Sequence, residues 1–154
     1  MSISNILSAQ SVALNVRAHC KREALQHLSA MAAKATDRPC EGIFDVLMER
    51  ERLGSTGLGN GVAVPHGKID GLDQVTGVFI RLETPLDFDA LDGEPVDLVF
   101  LLLAPANATA AHLKALAKVA RLLRDPQTRD ALRAADAVED AFAIAATDRK
   151  SDAA

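Results

Sequence analysis

The spacing of apolar residues divides the chain into helical and extended stretches. Ala24, Leu25, Leu28, Met31, Ala32 and Ala35 recur at three- and four-residue intervals, which places them on one face of a helix beginning near Lys21. Asp37-Arg38-Pro39 ends it, because proline disfavours helical geometry in the residue before it. Ile43, Phe44, Leu47 and Met48 stripe a second helix, which closes in the charged run Glu49-Arg50-Glu51-Arg52 and stops at Gly54, a residue that tolerates positive φ. In the last third, Leu113, Leu116, Ala117, Ala120 and Leu123 mark another helix, with Asn107 or Thr109 as its expected cap. Asp125-Pro126 reads as a cap followed by a first-turn proline. Asp136 with Glu139 reads as a capping box ahead of Val138, Ala141, Phe142 and Ala145.

The extended stretches are shorter. Val12–Val16 and Val75–Leu82 read as strands, and Val96–Leu103 is apolar on both faces, as a strand buried between two layers should be. Gly61–Gly67 reads as a short strand that Pro65 confines to an edge, an end or a bulge. Four of the eight residues from Gly54 to Gly61 are glycine, which predicts a loop. Residues 1–11 read as a loosely held polar lead-in and residues 148–154 as a frayed tail. The order is strand, two helices, several strands, then helices. It predicts an α/β fold, a mixed β-sheet flanked by helices, in one domain spanning 1–154 with its core at about 10–147.

Composition narrows the function. The chain has 154 residues, is 49% hydrophobic and carries a net charge of −4. Its aromatic content is 3%, all phenylalanine, so it lacks both a basic block and a base-stacking platform, which argues against nucleic acid as a partner. The longest apolar run, Leu98–Pro105, is far too short to span a bilayer, so no membrane insertion is expected. Cys20 and Cys40 form no CxxC pair, and no signal peptide is evident, so the expected location is cytoplasmic, with free thiols.

The glycine stretch excludes several chemistries. Asn60 stands where a P-loop needs lysine, and Val62 where a dinucleotide motif needs glycine. Ser55 lacks the glycine two residues before it that a nucleophile elbow requires. The acidic run Asp87–Glu94 has the wrong spacing for a calcium loop. His19, His27, His66 and His112 contain no HxxxH pair. No metal and no cofactor are expected. What remains is His66, stiffened from behind by Pro65, with Gly67 letting the chain turn away and leaving room beside the ring. An imidazole presented beside a loop rich in backbone N–H groups has the parts for covalent phosphoryl transfer. A hydrogen-bonded structural histidine at a strand end is the other reading of these residues.

The continuous string Arg50-Glu51-Arg52-Leu53-Gly54-Ser55-Thr56-Gly57-Leu58-Gly59-Asn60-Gly61-Val62-Ala63-Val64-Pro65-His66-Gly67-Lys68 resembles the signature of the IIA proteins of the bacterial phosphoenolpyruvate-dependent phosphotransferase system. Within that system it resembles the fructose/mannitol-type superfamily and its nitrogen-regulatory branch. Two further blocks carry the resemblance, Leu82–Ala90 continuing through Pro95–Phe100, and Ala104–Asn107 running to His112-Leu113. The resemblance implies a mixed sheet flanked by helices with the phosphoacceptor, His66, at its edge. It implies transfer onto Nε2 from an HPr-like phosphohistidine carrier, with His112 as a second active-site histidine and Arg50 as a basic neighbour. Ser55, Thr56, Gly57 and Gly67 are the implied phosphate-binding positions. The implied partners are that carrier and regulatory or transport-control targets. The alternative is a sugar-specific component passing its phosphate to a IIB partner. His19, His27, Cys20 and Cys40 read as structural or surface positions.

Overall fold

The computed structural model describes residues 2–147; the tail expected at 148–154 lies outside the described residues. Six strands form one sheet: β1 (Val12–Val16), β2 (Gly57–Gly59), β3 (Val62–Ala63), β4 (His66–Ile69), β5 (Thr76–Leu86) and β6 (Val96–Pro105). Five helices cover it: α1 (Lys21–Thr36), α2 (Cys40–Arg52), α3 (Thr109–Arg124), α4 (Pro126–Ala134) and α5 (Val138–Ala146). Strand β6 is central, antiparallel to β5 on one edge and parallel to β3 and β4 on the other. Strand β1 adds parallel to β5, and β2 adds antiparallel to β3. The sheet is therefore mixed and flanked by helices, as the element order predicts.

The alternation of side chains along β6 builds two cores. Leu98, Phe100, Leu102 and Ala104 face α3, α4 and α5, where they meet Val119, Leu123, Leu132 and Ala141. Val99, Leu101 and Leu103 face α1 and α2, where they meet Leu25, Leu28, Ile43 and Leu47. All seven β6 residues are fully buried, and each of the larger ones contributes roughly 1.5–3 kcal/mol by leaving water.

The lead-in is packed, not loose. Ile3, Ile6 and Leu7 are buried in the core on the α3 side. They stand at i, i+3 and i+4 on one side of a single 3-10 turn at Ile3–Asn5, too short for periodicity to register. The Gly77 N–H donates to the Ile6 carbonyl at 2.7 Å, and a Cβ on Gly77 would lie 2.9 Å from the Phe100 ring, so only glycine allows this approach.

Two expected caps are also absent. Ala108 and Ala137, which precede α3 and α5, offer no capping side chain, and neither Asn107, Thr109 nor Asp136 fills the role. Asp125 does cap α4 as expected, accepting from the Gln127 N–H at 3.0 Å with Pro126 in the first turn. The glycine stretch is more ordered than a loop. Asn60 and Gly61, both at positive φ, form a two-residue turn between β2 and β3, the Asn-Gly hairpin connection whose twist matches the strands.

Candidate functional site

Strands β3 and β4 run in one unbroken register along β6, interrupted only at Val64-Pro65. Pro65 has no N–H to give, but its carbonyl accepts from Leu102 at 3.0 Å, so the chain stays seated against β6. On the outer side, β2 covers β3 and stops. His66 is the first residue past that cover, on the open edge of the sheet.

The hydrogen bonds of the ring define its chemistry. Nδ1 of His66 lies 2.9 Å from the Val64 carbonyl. A carbonyl only accepts, so Nδ1 carries the ring proton and Nε2 holds the lone pair. The Arg50 Nε–H, from the last turn of α2, donates to that Nε2 at 3.2 Å. Arg50 is itself fixed by a second bond, from Nη1 to the Gly54 carbonyl at 3.0 Å.

His112 comes from the first turn of α3. Its ring stands edge-on to that of His66, with centroids 5.6 Å apart. It is buried, and its Nε2 has no hydrogen-bond partner among the described residues. Burial pushes its pKa below the ordinary histidine value, and the neighbouring charges of His66 and Lys68 push the same way. His112 is thus neutral at neutral pH. Lys68 is held beside it by a bond to Thr109 Oγ1 at 3.0 Å.

A shallow cavity of about 220 Å³ opens in front of His66, between Arg50 and Ser55–Leu58 on one side and Leu116 and Ala120 of α3 on the other. Leu58 and Leu113 are exposed large apolar side chains. The sequence pattern places Leu113 and Ala117 on the buried stripe of α3, but both are exposed; Leu123 is buried as expected, together with His112, Ala115, Val119 and Leu122. The stripe turns His112 inward, and Leu113, the next residue, points out.

The structure therefore brings His66, Arg50 and His112 together. The other expected site residues shape the cavity wall. Ser55 Oγ donates to the Phe88 carbonyl and accepts from the Gly57 N–H. Thr56 is buried and its hydroxyl donates to Glu51. Gly67 does not turn the chain away from His66; it is buried within β4, where a Cβ would sit 2.5 Å from Val46 Cγ1, so its smallness lets α2 close onto the sheet. His19, His27, Cys20 and Cys40 are exposed and away from the cavity. The acidic run is a turn tied by its own carboxylates. Asp92 accepts from the Asn60 and Glu94 N–H groups, and these bonds lower its pKa.

Sequence reasoning missed Lys21 and Glu51. Glu51 sits in a run that reads as a solvated helix end, and for Glu49 and Arg52 that reading holds; Glu51 instead turns inward to pair with Lys21. Among the described residues no group of three or more His, Cys, Asp or Glu could hold a metal ion, and no helix is long and apolar enough to cross a membrane.

The chain matches the family described as "Phosphoenolpyruvate-dependent sugar phosphotransferase system, EIIA 2" over residues 5–147. A nitrogen regulatory protein of Bradyrhizobium diazoefficiens is 45% identical over 146 residues, covering 95% of each chain. The crystal structure of nitrogen regulatory protein IIA-Ntr from Neisseria meningitidis superposes with a TM-score of 0.88 at 39% identity, covering 92% of this chain and 97% of that one. IIA mannitol from Escherichia coli shares the fold, with a TM-score of 0.77 at 23% identity over 90% of this chain and 98% of that one.

Proposed function

The chain belongs to the EIIA 2 family of the phosphoenolpyruvate-dependent sugar phosphotransferase system, and from that premise we propose that it is a nitrogen-regulatory phosphocarrier whose His66 accepts a phosphoryl group on Nε2. The observation that carries this reading is the fixed tautomer. Nδ1 donates its N–H to the Val64 carbonyl, which leaves Nε2 unprotonated at the cavity, where it accepts from Arg50.

The donor is the protonated phosphohistidine of an HPr-like carrier. The Nε2 lone pair attacks phosphorus in line, and the phosphorus–nitrogen bond to the carrier breaks. Its electron pair returns to the carrier nitrogen, which leaves as part of a neutral imidazole. His66 becomes a phosphoimidazolium whose ring proton stays on Nδ1, held by the Val64 carbonyl, so no proton need be exchanged with solvent. The new group carries about −1.5 to −2 charge by analogy with other phosphorylated side chains. Arg50 turns its N–H groups from Nε2 to the phosphoryl oxygens, and the unpartnered Nε2 of His112 supplies one further donor. Ser55, Thr56 and Gly57 keep the cavity wall in place, and Gly67 keeps α2 seated on β4.

The output is binding to regulatory or transport-control targets that depends on the phosphate. The relatives named as nitrogen regulatory proteins support this over sugar uptake. Adding a negatively charged group beside the exposed Leu58 changes the charge of a partly apolar surface, which is enough to switch a docking partner.

The test is intact-mass spectrometry after incubation with phosphoenolpyruvate, enzyme I and an HPr-type carrier, at neutral to alkaline pH because phosphohistidine is acid-labile. One phosphate on the wild type and none on a folded His66→Ala variant is expected. Full uptake by His66→Ala, or none by the wild type with several HPr-type donors, overturns the assignment.

A further inference from the structure

The carboxylate of Glu51 takes no part in the transfer described above, yet its side chain is only 5% exposed. One oxygen lies 2.5 Å from the Lys21 ammonium of α1, and the other accepts the Thr56 hydroxyl. Lys21 also reaches the Phe88 carbonyl at 3.4 Å and lies over the Phe88 ring. Holding two opposite charges out of water is a weak way to stabilise a fold, so this pair calls for a reason beyond stability.

The contacts continue toward the active site. The Thr56 carbonyl accepts the Val64 N–H at 3.0 Å. The Val64 carbonyl then accepts the Nδ1 proton of His66 at 2.9 Å. A continuous path thus runs from Glu51 through Thr56 and Val64 to one ring nitrogen. Arg50, the preceding residue on the same helical turn, contacts the other ring nitrogen. Successive residues of a helix project about 100° apart. The end of α2 therefore addresses both nitrogens of His66, one directly and one through the loop.

We propose that Glu51 is a positioning residue for His66: held by Lys21, it anchors Thr56, fixes the Val64 peptide and so keeps the ring proton on Nδ1 and the lone pair on Nε2. The proposal rests on His66 being the phosphoacceptor. With the anchor cut, the Val64 peptide is free to tilt, Nδ1 loses its acceptor, and the lone pair divides between the two nitrogens.

Three variants test it. Thr56→Val keeps the shape and the main-chain bond but removes the hydroxyl. Thr56→Ser keeps the hydroxyl. Glu51→Gln removes the charge that holds Lys21. The first readout is the pair of ring ¹⁵N shifts of His66 in the unphosphorylated protein at mildly alkaline pH. The wild type and Thr56→Ser should show a single tautomer with Nδ1–H, and Thr56→Val and Glu51→Gln a mixture. The second readout is the rate of phosphate transfer from a phosphorylated HPr-type carrier. It should fall roughly tenfold or more in Thr56→Val and Glu51→Gln, because a small misplacement of a reacting atom is expensive in rate. It should recover in Thr56→Ser. A lower melting temperature with an unchanged tautomer and an unchanged rate per folded molecule would mean a structural role only and overturns the proposal. Should the valine variant fail to fold, Glu51→Gln against Thr56→Ser decides. If the variants shift the tautomer but the wild type accepts no phosphate, the positioning of the ring stands and the phosphoacceptor reading is what fails.

Discussion

Two clefts open around the β2–β3 hairpin, and they differ in kind. The larger, about 500 Å³, lies between the hairpin turn and α4 and is lined by Asn60, Asp97, Arg129 and Arg133. The smaller, about 220 Å³, holds His66. In the larger cleft the cations are engaged by the fold. Arg133 grips both oxygens of Asp97, at 2.9 and 3.0 Å, and the Asn60 carbonyl at 2.7 Å. Arg129 closes the end of α3 by donating to the Leu123 and Arg124 carbonyls. In the smaller cleft the Nε2 of His66 is met by the Arg50 Nε–H, and the buried His112 ring stands edge-on to that of His66. Cleft size does not mark the chemistry here. What marks it is a histidine at a sheet edge whose Nε2 is held by a single side chain, Arg50, that can turn away from it.

The sharpest way to break that contrast is to exchange the expected losses. His66→Ala should lose phosphate uptake completely and keep the wild-type melting temperature, whereas Arg133→Ala should take up a full phosphate. Uptake lost from both, by intact mass, would mean that the two clefts are not functionally separate. Next in size is Arg50→Ala. Removing one preorganised donor to a developing charge typically costs roughly 100-fold in rate, and quenched-flow transfer assays should show a loss of that order with the fold intact. A rate within twofold of wild type would remove Arg50 from the site. Arg133→Ala has its effect on stability instead. Loss of hydrogen bonds to a charged group should lower unfolding free energy by about 1.5–3 kcal/mol in urea titrations, and an unchanged midpoint would show the larger cleft to be ornamental.

The smallest expected effect is pH-dependent. The pKa of His112 is lowered in the folded state by burial, with His66 and Lys68 adding to it. Between that lowered value and the ordinary 6.5 the unfolded chain binds a proton that the folded chain does not. Stability from this group is therefore complete above about 6.5 and falls as pH drops through that window. Urea midpoints at neutral and mildly acidic pH should fall more for the wild type than for His112→Gln. An equal or smaller fall in the wild type would show that His112 is not held neutral.

The sequence carried the layered architecture well because β6 announces itself. An unbroken apolar run of strand length needs cover on both faces, and α1 with α2 and α3 with α5 supply it. The lead-in was missed because one turn bearing Ile3, Ile6 and Leu7 is shorter than any period. The expected caps of α3 and α5 fail by position: Ala108 and Ala137 stand at the cap positions, one residue away from each polar candidate, and sequence cues do not fix a helix start to one residue. The Asn60-Gly61 hairpin was legible as a turn signal, but four glycines disguised its strands. Arg50 and His66 share one continuous string, whereas His112 lies far from it in sequence, and resemblance to a family brought the three together. Glu51 stayed hidden because a charged run says nothing about which member turns inward.

The double burial of β6 has a consequence for watching this molecule at work. Its backbone is bonded along both edges and covered on both faces, so most of its amides should exchange with deuterated solvent only when the whole domain opens. One of them is special. The Leu102 amide is bonded to the Pro65 carbonyl, one residue before His66 on the sheet's outer side, so it is freed also when that edge alone lifts. It is a built-in isotopic clock: its exchange rate, timed before and after phosphorylation, reads how tightly the histidine's strand is bound to the centre of the sheet.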